Sequence, residues 1–199
     1  MKAMGVPDWW IESARKIAYL FPKAHAVAYV MMAFRIAWFK VHYPLAYYSA
    51  YFYRRSQKGG FDAGMMAGGA DAVRRKINEM KRRELTPNEE DLMVTLEAVY
   101  EFNMRGFRFA PVDLYASDAR KFLPVGDKEL RPPFVSVAGL GEAAADDLYR
   151  VGSAGEQFIS VEELSEACPK VSQTHLDTLK SLGALGDMPS SSQISLFEW

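Results

Sequence analysis

The sequence predicts a mainly α-helical protein with a small β-hairpin segment near its middle, a second helical domain near its C-terminal end and a flexible tail. Three observations support this fold class. Signals for helix starts and stops recur over the first hundred residues, and short alternating runs replace them after Phe107. Pro132-Pro133 then interrupts the chain before further short helical segments. The hydrophobic content of 49% and the aromatic content of 13% are enough for a packed core.

Three helices are expected in the first 55 residues. Asp8 is a candidate cap for a helix that runs to about Leu20. A longer helix is expected over Ala24–His42, because Pro44 disfavours helical geometry before it and suits the first turn of the next helix. That third helix covers Leu45 to about Arg55. Its aromatic side chains are expected to pack in the core, with base stacking as the alternative: Tyr47, Tyr48, Tyr51, Phe52 and Tyr53.

The next segment continues the helical pattern. Further helices are expected at Asp62–Ala67 and Ala70–Arg83. The run Thr86-Pro87-Asn88-Glu89 has the pattern of a capping box with proline at the first helical position. The helix that it opens is expected to reach Arg105, with Gly106 as its stop.

The second half is expected to hold short strands and then short helices. Phe107–Tyr115 and Lys121–Leu130 are predicted strands, the latter folded about Gly126-Asp127. Ser160 with Glu163 predicts a second capping box, and Ser172 is a candidate cap for the last helix. The three helices beyond the proline pair are predicted at Glu142–Val151, Val161–Ala167 and Gln173–Leu182. The run Pro189–Ser192 is predicted to be a flexible tether.

Composition excludes several classes of protein. Cys168 is the only cysteine, which excludes an internal disulfide and a cysteine-rich zinc site and fits a reducing cytoplasm. The first ten residues do not have the pattern of a signal peptide. The most apolar run, Leu20–Phe39, carries Lys23, His25 and Arg35, which favours a buried helix over a membrane span. We therefore expect no membrane partner and no metal site in this chain.

Charge is distributed unevenly along the sequence. Residues 1–60 contain nine basic and two acidic side chains, residues 61–110 eight and nine, and residues 111–199 seven and fourteen. The net charges are therefore +7, −1 and −7. Side-chain attraction for phosphate is expected at the N-terminal end, whereas nucleic-acid contacts in the second half must rely more on backbone N–H groups.

A glycine-rich turn carries the clearest structural motif. Val137-Ala138-Gly139-Leu140-Gly141, followed by Ala144 and Leu148, has the pattern of a helix-hairpin-helix. Two glycines allow positive φ and bring backbone N–H groups up to a phosphate, and the following helix N-terminus adds its dipole. Such a module recognises shape and charge rather than base sequence. The alternative is an ordinary tight turn.

The charges around this turn do not favour a strong grip on phosphate. Arg150 is the only cation close to it in the sequence, while Glu142, Asp146 and Asp147 are acidic. The motif could therefore have a mainly structural role.

The last residues form an apolar peptide on the predicted tether. Leu196 and Phe197 have little core to join there, but an extended peptide could place them in a partner's pocket while Gln193 hydrogen-bonds at its rim. The alternative is a tail that folds back on its own domain. The peptide consists of Gln193, Ile194, Ser195, Leu196 and Phe197.

Motifs along the whole chain resemble those of one family in collinear order. Tyr19-Leu20-Phe21-Pro22-Lys23-Ala24-His25-Ala26-Val27-Ala28-Tyr29 closely resembles a signature of bacterial DNA polymerase III alpha chains, best of all the PolC type of Gram-positive bacteria. The other matching segments are Gly5–Trp10, Arg35–Pro44, Arg105–Phe107, Val112–Tyr115, Pro132–Phe134, the glycine turn, Ser181–Asp187 and the terminal peptide.

The resemblance implies a domain organisation. Residues 1–55 would be the end of the fingers region, which closes over the incoming nucleotide, and residues 56–131 a helical connector with the short β-hairpin. Residues 132–188 would be a DNA-binding helix-hairpin-helix domain, and residues 189–199 a flexible clamp-binding tail. The implied partners are duplex primer-template DNA, a sliding clamp, the rest of the polymerase chain and, in the complete enzyme, an incoming dNTP.

The resemblance also implies roles for particular residues. Tyr19, Lys23 and His25 would lie near the nascent base pair and the nucleotide phosphates, although His25 could instead be a core residue. The implied clamp-binding residues are Gln193–Phe197. The candidate DNA-binding residues, from the glycine turn and from the basic end of the third helix, are Gly139, Leu140, Gly141, Arg150, Arg54 and Arg55.

The chemistry of a polymerase requires acidic residues that hold two metal ions. In the family these include an Asp-x-Asp pair on the palm, and no Asp-x-Asp occurs in this sequence. Asp146-Asp147 cannot replace it, because adjacent side chains on a helix diverge by about 100°. We therefore expect a fragment, or one piece of a split chain, with no catalytic residue, no cofactor of its own and no activity alone, whereas the full polymerase would use Mg²⁺.

Three functions are compatible with the sequence. The first is a piece of a replicative DNA-directed DNA polymerase, a nucleotidyltransferase of DNA replication, that closes the nucleotide pocket, holds duplex DNA and binds the clamp in the cytoplasm. The second is a free-standing, non-catalytic DNA- and clamp-binding module. The third is a structural helical protein in which the glycine turn and the tail are incidental.

Overall fold

The computed structural model describes residues 1–16, 22–57 and 60–192. These residues fall into two compact units, Met1–His42 and the chain from Tyr43 onwards. Helices dominate both units and a three-stranded sheet lies in the second, so the predicted mainly α-helical fold class is confirmed. The domain bounds expected at residues 55, 131 and 188 stay predictions.

The first unit contains two helices after a short 3-10 turn at Lys2–Met4. Helix α1 covers Asp8–Arg15 and helix α2 covers Lys23–His42. Asp8 was expected to cap α1, but Pro7 occupies the cap position and Asp8 lies in the first turn, where its carboxylate accepts from Lys2 Nζ at 2.7 Å. The expected extension of α1 to Leu20 falls partly outside the described residues.

Helix α2 differs from the expectation of a buried helix. None of its residues is buried within this chain, and Phe34 is 73% exposed. The apolar composition predicted burial, but the described residues leave this helix uncovered. Its length and composition also match those of a membrane span. Lys23, Arg35 and Lys40 lie along it, and such charges are costly in a bilayer.

The second unit begins with four helices, two of which start at a capping side chain, Asp62 or Thr86. They are α3 at Pro44–Ser56, α4 at Ala63–Met66, α5 at Gly69–Met80 and α6 at Pro87–Met104. Pro44 occupies the start of α3, as predicted. The predicted capping box is also present: the Glu89 N–H donates to Thr86 Oγ1 at 3.4 Å, and the Thr86 N–H donates to Glu89 Oε2 at 2.9 Å.

An aromatic cluster forms the core around α3. Tyr48 and Phe52 are buried, and the Phe52 ring lies 5.6 Å from Phe102 and 5.8 Å from Phe122. The aromatic residues of α3 therefore serve mainly in core packing, as expected, and Tyr48 and Phe52 are not available to stack on bases. Burial of such large rings is a principal source of stability in a domain of this size.

The sheet is smaller than predicted. Strand β1 covers only Arg108–Phe109, β2 covers Leu123–Val125 and β3 covers Glu129–Arg131, in the order β1-β3-β2. The hairpin of β2 and β3 is antiparallel and turns at Gly126, whose φ is +58°, as predicted. The longer strand predicted over Phe107–Tyr115 is wrong, because Pro111 has no N–H to donate and the Asp113 carboxylate accepts from the Tyr115 N–H in a turn.

Three helices complete the second unit. They are α7 at Glu142–Ser153, α8 at Val161–Ala167 and α9 at Gln173–Ser181. Ser172 caps α9 as expected. The capping box predicted for Ser160 and Glu163 is only half formed: Ser160 Oγ accepts from the Glu163 N–H, but the Glu163 carboxylate accepts from the N–H of Ile159 rather than that of Ser160.

The residues after α9 return to the start of α8. The Val161 N–H donates to the Pro189 carbonyl at 2.9 Å, and the Glu162 N–H donates to the Ser190 carbonyl at 3.2 Å. Ser191 Oγ donates to Glu162 Oε2 at 2.8 Å. The first residues of the predicted tether are therefore bonded to α8, since the first N–H groups of a helix need acceptors from outside it.

Candidate nucleic-acid interface

The glycine turn lies between a 3-10 turn at Phe134–Ser136 and helix α7. Gly139 has φ +82°, a conformation that favours glycine. Gly141 was also expected to have positive φ, but its φ is −79° and its ψ is 166°. The expectation for Gly141 is therefore wrong, because only one left-handed residue is needed to reverse the chain here.

Gly141 is the N-cap residue of α7, and none of the described side chains caps this helix. The N-cap residues of α6 and α9, Thr86 and Ser172, have nearly the same backbone angles and accept from the third helical N–H through their hydroxyls. At Gly141 that hydroxyl is missing, and a Cβ added there would meet no atom within 4 Å. The start of α7 therefore has an uncrowded N-cap position and no capping side chain among the described residues.

The apolar side of the hairpin packs into the core. Leu140, Ala144 and Leu148 are all buried. Ala144 was expected to leave room for the two arms of the hairpin, and its burial agrees with that expectation. The inner side of the motif is thus buried in the core.

A loop ahead of β2 holds the first arm of the hairpin. The Phe134 N–H donates to the Asp118 carbonyl and the Val135 N–H to the Ala119 carbonyl, both at 3.0 Å. The loop has its own Asx turn, because Asp118 Oδ1 accepts from the N–H groups of Arg120 and Lys121.

Arg120, from the same loop, contacts the second arm. Its guanidinium donates to both carboxylate oxygens of Asp146, at 3.2 and 2.7 Å, and lies 3.2 Å from Glu142 Oε2. The Arg120 hydrogen bond lowers the pKa of the Asp146 carboxyl. Sequence reasoning missed Arg120, because no local pattern links it to acids more than twenty positions later. Glu142 and Asp146 are two of the three acids whose charge was expected to weaken phosphate binding at the turn. Both are therefore paired with the Arg120 guanidinium.

Arg150, the cation predicted to contact DNA, is also paired. Its guanidinium donates to Asp147 Oδ1 at 2.8 Å and to the Ala167 carbonyl at 2.8 Å, and so connects α7 to the end of α8. Burial alone raises the pKa of the Asp147 carboxyl, but hydrogen bonds from Arg150 and from the Lys170 N–H outweigh it and hold that pKa below its usual range. Arg150 thus has a structural role that the sequence did not indicate.

A groove joins the hairpin to the end of α3. It has a volume of about 460 Å³ and is lined by Gln57 and Phe61 on one side and Gly139, Gly141 and Glu142 on the other. The last turn of α3 carries Arg54 and Arg55. Of the predicted DNA-binding residues, Gly139, Leu140 and Gly141 line this groove, whereas Arg54 and Arg55 only adjoin its lining residues Ser56 and Gln57, and Arg150 does not line it.

The two arginines of α3 differ in their surroundings. Arg54 is exposed and only weakly held, with Nη1 3.5 Å from Gln57 Oε1. Arg55 is half-buried, with Nη1 3.4 Å from Asp91 Oδ1 and its guanidinium 5.4 Å from the centre of the Tyr51 ring. Arg54 is the better placed of the two to reach a ligand in solution.

The predicted nucleotide-binding residues belong to the first unit. Lys23 and His25 are exposed at the start of α2, and the His25 ring lies 4.6 Å from the Tyr29 ring, edge to face. His25 is therefore not a core residue within this chain. Tyr19 and the predicted clamp-binding residues Gln193–Phe197 lie outside the described residues, and their roles stay predictions.

Metal-binding and nucleophilic groups give no further site in the part of the chain that the structure describes. No group of three or more His, Cys, Asp or Glu side chains there could hold a metal ion. Cys168 is buried, and burial raises the pKa of its thiol to about 11, so it is protonated at neutral pH.

Comparisons with known proteins agree with the motif and extend it. Residues 106–193 match the family described as the helix-hairpin-helix motif. Over 99% of its length the chain is 46% identical to a protein of Caldanaerobacter subterraneus and 45% identical to one of Thermotoga maritima, and over 100% of its length it is 48% identical to one of Streptococcus pneumoniae. Each of these relatives is described as DNA polymerase III PolC-type, and the chain spans 14% of the length of each.

Proposed function

Because the chain belongs, as a homologue of one segment, to the family of PolC-type DNA polymerase III proteins, we propose that it serves DNA replication by holding duplex DNA at its glycine hairpin. The chain spans only 14% of these relatives, so it would act together with the rest of a polymerase. The catalytic Mg²⁺ ions would be held by that other part, and the chain alone would be inactive.

The observation that carries this proposal is the uncapped start of α7 beside Gly141. Backbone N–H groups at a helix N-terminus, together with the helix dipole, bind a phosphate without reading the base. Because a Cβ added at Gly141 would meet no atom within 4 Å, there is room for the sugar-phosphate chain to come close to these groups. Gly139, Leu140 and Gly141 would thus contact one backbone phosphate.

Side-chain charge would add a second contact across the groove. Arg54 is exposed at the end of α3, whose neighbour Gln57 lines the same groove as Gly139 and Gly141. An arginine there would contact another phosphate and make the affinity depend on salt. Arg55 and Arg150 would contribute less, because each donates to an aspartate of this chain.

The first unit would serve the nucleotide pocket and contact the rest of the polymerase. Lys23 and His25, exposed at the start of α2, are suited to donate to nucleotide phosphates, with Tyr19 near the base. Val27, Phe34 and Val41 are about half exposed or more along α2. An apolar helix surface of this kind is suited to burial against another protein segment. Gln193–Phe197 would bind a sliding clamp, and the assembly would work in the cytoplasm.

The sharpest test of the hairpin is Gly141→Ser. The backbone angles at Gly141 match those of the serine cap of α9, so a serine hydroxyl there should accept from the N–H of Ala144. We expect the free energy of unfolding to rise by about 0.5 kcal/mol, because serine caps a helix slightly better than glycine and restricts the unfolded chain. The affinity for a labelled duplex should nevertheless fall about tenfold, because the hydroxyl takes the place of the phosphate.

The matched control is Ser172→Gly, which removes a cap from α9 and should lower stability slightly while leaving duplex affinity unchanged. Thermal unfolding and fluorescence anisotropy of the full chain measure the two quantities. If Gly141→Ser binds duplex DNA as tightly as the unaltered chain, the hairpin is not the phosphate-binding element.

A further inference from the structure

Arg120 connects the two arms of the glycine hairpin. Its loop accepts from the backbone N–H groups of Phe134 and Val135, and its guanidinium donates to Asp146 and lies against Glu142. The two acids are four positions apart, so they share one face of α7 at the end nearest Gly141. All three side chains are about half exposed.

We propose that Arg120 is a positioning residue for duplex DNA that acts through Glu142 and Asp146, cancelling part of their charge and holding both carboxylates away from the approaching phosphate. This inference rests on the proposed function of the hairpin. Without Arg120, the two carboxylates on the first two turns of α7 would have no ion pair with any described residue, and Lys170 would attract only Asp146, from beyond ion-pair distance. A phosphate is repelled by such charges, and the repulsion is strongest at low salt.

The geometry favours this indirect role over a direct contact with DNA. The guanidinium uses Nε, Nη1 and Nη2 on the two carboxylates, at 3.2, 3.2 and 2.7 Å. A bidentate contact of this kind is among the stronger and more directional ion pairs. The arrangement reduces the local charge from −2 to −1, and it fixes where the remaining negative charge lies.

The test compares duplex affinity at low salt for Arg120→Gln alone and together with Glu142→Gln and Asp146→Asn. The single variant should bind a labelled duplex about tenfold more weakly, because both acids lose their cation. The triple variant should recover at least the affinity of the unaltered chain. A role limited to holding the fold would not be rescued this way, since the triple variant also lacks the ion pairs.

Arg74→Gln serves as the control for net charge, because Arg74 is also paired with an aspartate, Asp71, at 3.1 Å. An equal loss of affinity in this control would overturn the proposal, and so would a triple variant as weak as Arg120→Gln. If Arg120→Gln unfolds, Arg120→Lys replaces it: lysine keeps the charge but not the bidentate contact, and an intermediate affinity is expected. Failure of the hairpin itself would appear separately, as unchanged binding by Gly141→Ser.

Discussion

The space around two glycines differs sharply: Gly152 lies within α7, and Gly141 is its N-cap residue. A Cβ added at Gly152 would lie 2.0 Å from the Leu114 carbonyl oxygen, whereas one added at Gly141 would meet nothing within 4 Å. Leu114 itself is held in place because its N–H donates to the Ala184 carbonyl at 2.9 Å. The segment at Leu114 therefore lies against α7 at a separation that only glycine permits.

We expect Gly152→Ala to lower the free energy of unfolding by about 2 kcal/mol, because the added methyl group must displace a backbone carbonyl rather than a mobile side chain. Chemical denaturation measures the difference. Gly141→Ala, with the same chemical change in open space, should cost clearly less. Equal losses in the two variants would show that the contact with Leu114 does not limit the position.

The glycine pattern of the hairpin was predictable because it is local. Gly139, Gly141 and Ala144 stand within six positions, and the family pattern links them. By contrast, Gly152 and Arg120 acquire their roles from residues more than twenty positions away. A sequence pattern does not specify which distant residues will meet, so these two residues could be recognised only in the folded chain.

Helix α6 begins at a side-chain cap. Thr86 begins α6 with a complete capping box, and Glu89 is further hydrogen-bonded to Arg83, with Nη1 3.1 Å from Oε2. The bond to Arg83, followed by those from the backbone and hydroxyl of Thr86, lowers the pKa of the Glu89 carboxyl to about 2. The ionised form of Glu89 thus stabilises the start of α6.

The capping box predicts a particular pH dependence. The folded-state pKa of Glu89 is depressed, so its contribution is fully present above the unfolded value of about 4.3 and is lost as the pH falls towards 2. We therefore expect Glu89→Gln to be less stable than the unaltered chain at pH 7, and the difference in the free energy of unfolding to shrink steadily as the pH falls from 4 to 2. Thermal unfolding across this range measures the difference, and a value at pH 2 as large as that at pH 7 would contradict the prediction. Glu79→Gln, whose acid pairs with Lys76, is the control.

Strands were harder to predict than helices here. The hairpin of β2 and β3 was found from Gly126-Asp127, but β1 has two residues and pairs in parallel with β3, twenty-one positions away. Such a short element has no periodicity of its own. The uncovered state of α2 could not be predicted either, because composition shows that a helix is apolar without showing what covers it.

At the scale of the whole molecule, basic and acidic residues separate along the chain, with +7 over residues 1–60 and −7 over residues 111–199. Neither the proposed clamp peptide nor the proposed nucleotide-binding residues belong to the hairpin. The proposed activities should therefore be separable by mutation, because residues without shared partners contribute independently to binding.

Deletion of residues 193–199 should abolish measurable binding to a bacterial sliding clamp and leave duplex affinity within about twofold, because the two contacts share no residues. Surface plasmon resonance with immobilised clamp measures the first quantity, and anisotropy of a labelled duplex the second. The double change Leu196→Ala and Phe197→Ala is the matched variant at full length. Unchanged clamp affinity after the deletion would exclude the peptide as the contact.

The hydrogen bond between Ser191 and Glu162 anchors the chain to α8 shortly before the proposed clamp peptide. Gln193 follows only two residues later, and an extended chain spans at most about 3.6 Å per residue, so the proposed clamp peptide starts within about 7 Å of Ser191. A short linker between Ser191 and the proposed peptide would give a bound clamp a high effective concentration near α8 and little freedom to move away from it. For the proposed clamp contact, lengthening or loosening this anchor would therefore change how far a bound partner can move from α8 before it changed the affinity of the peptide itself.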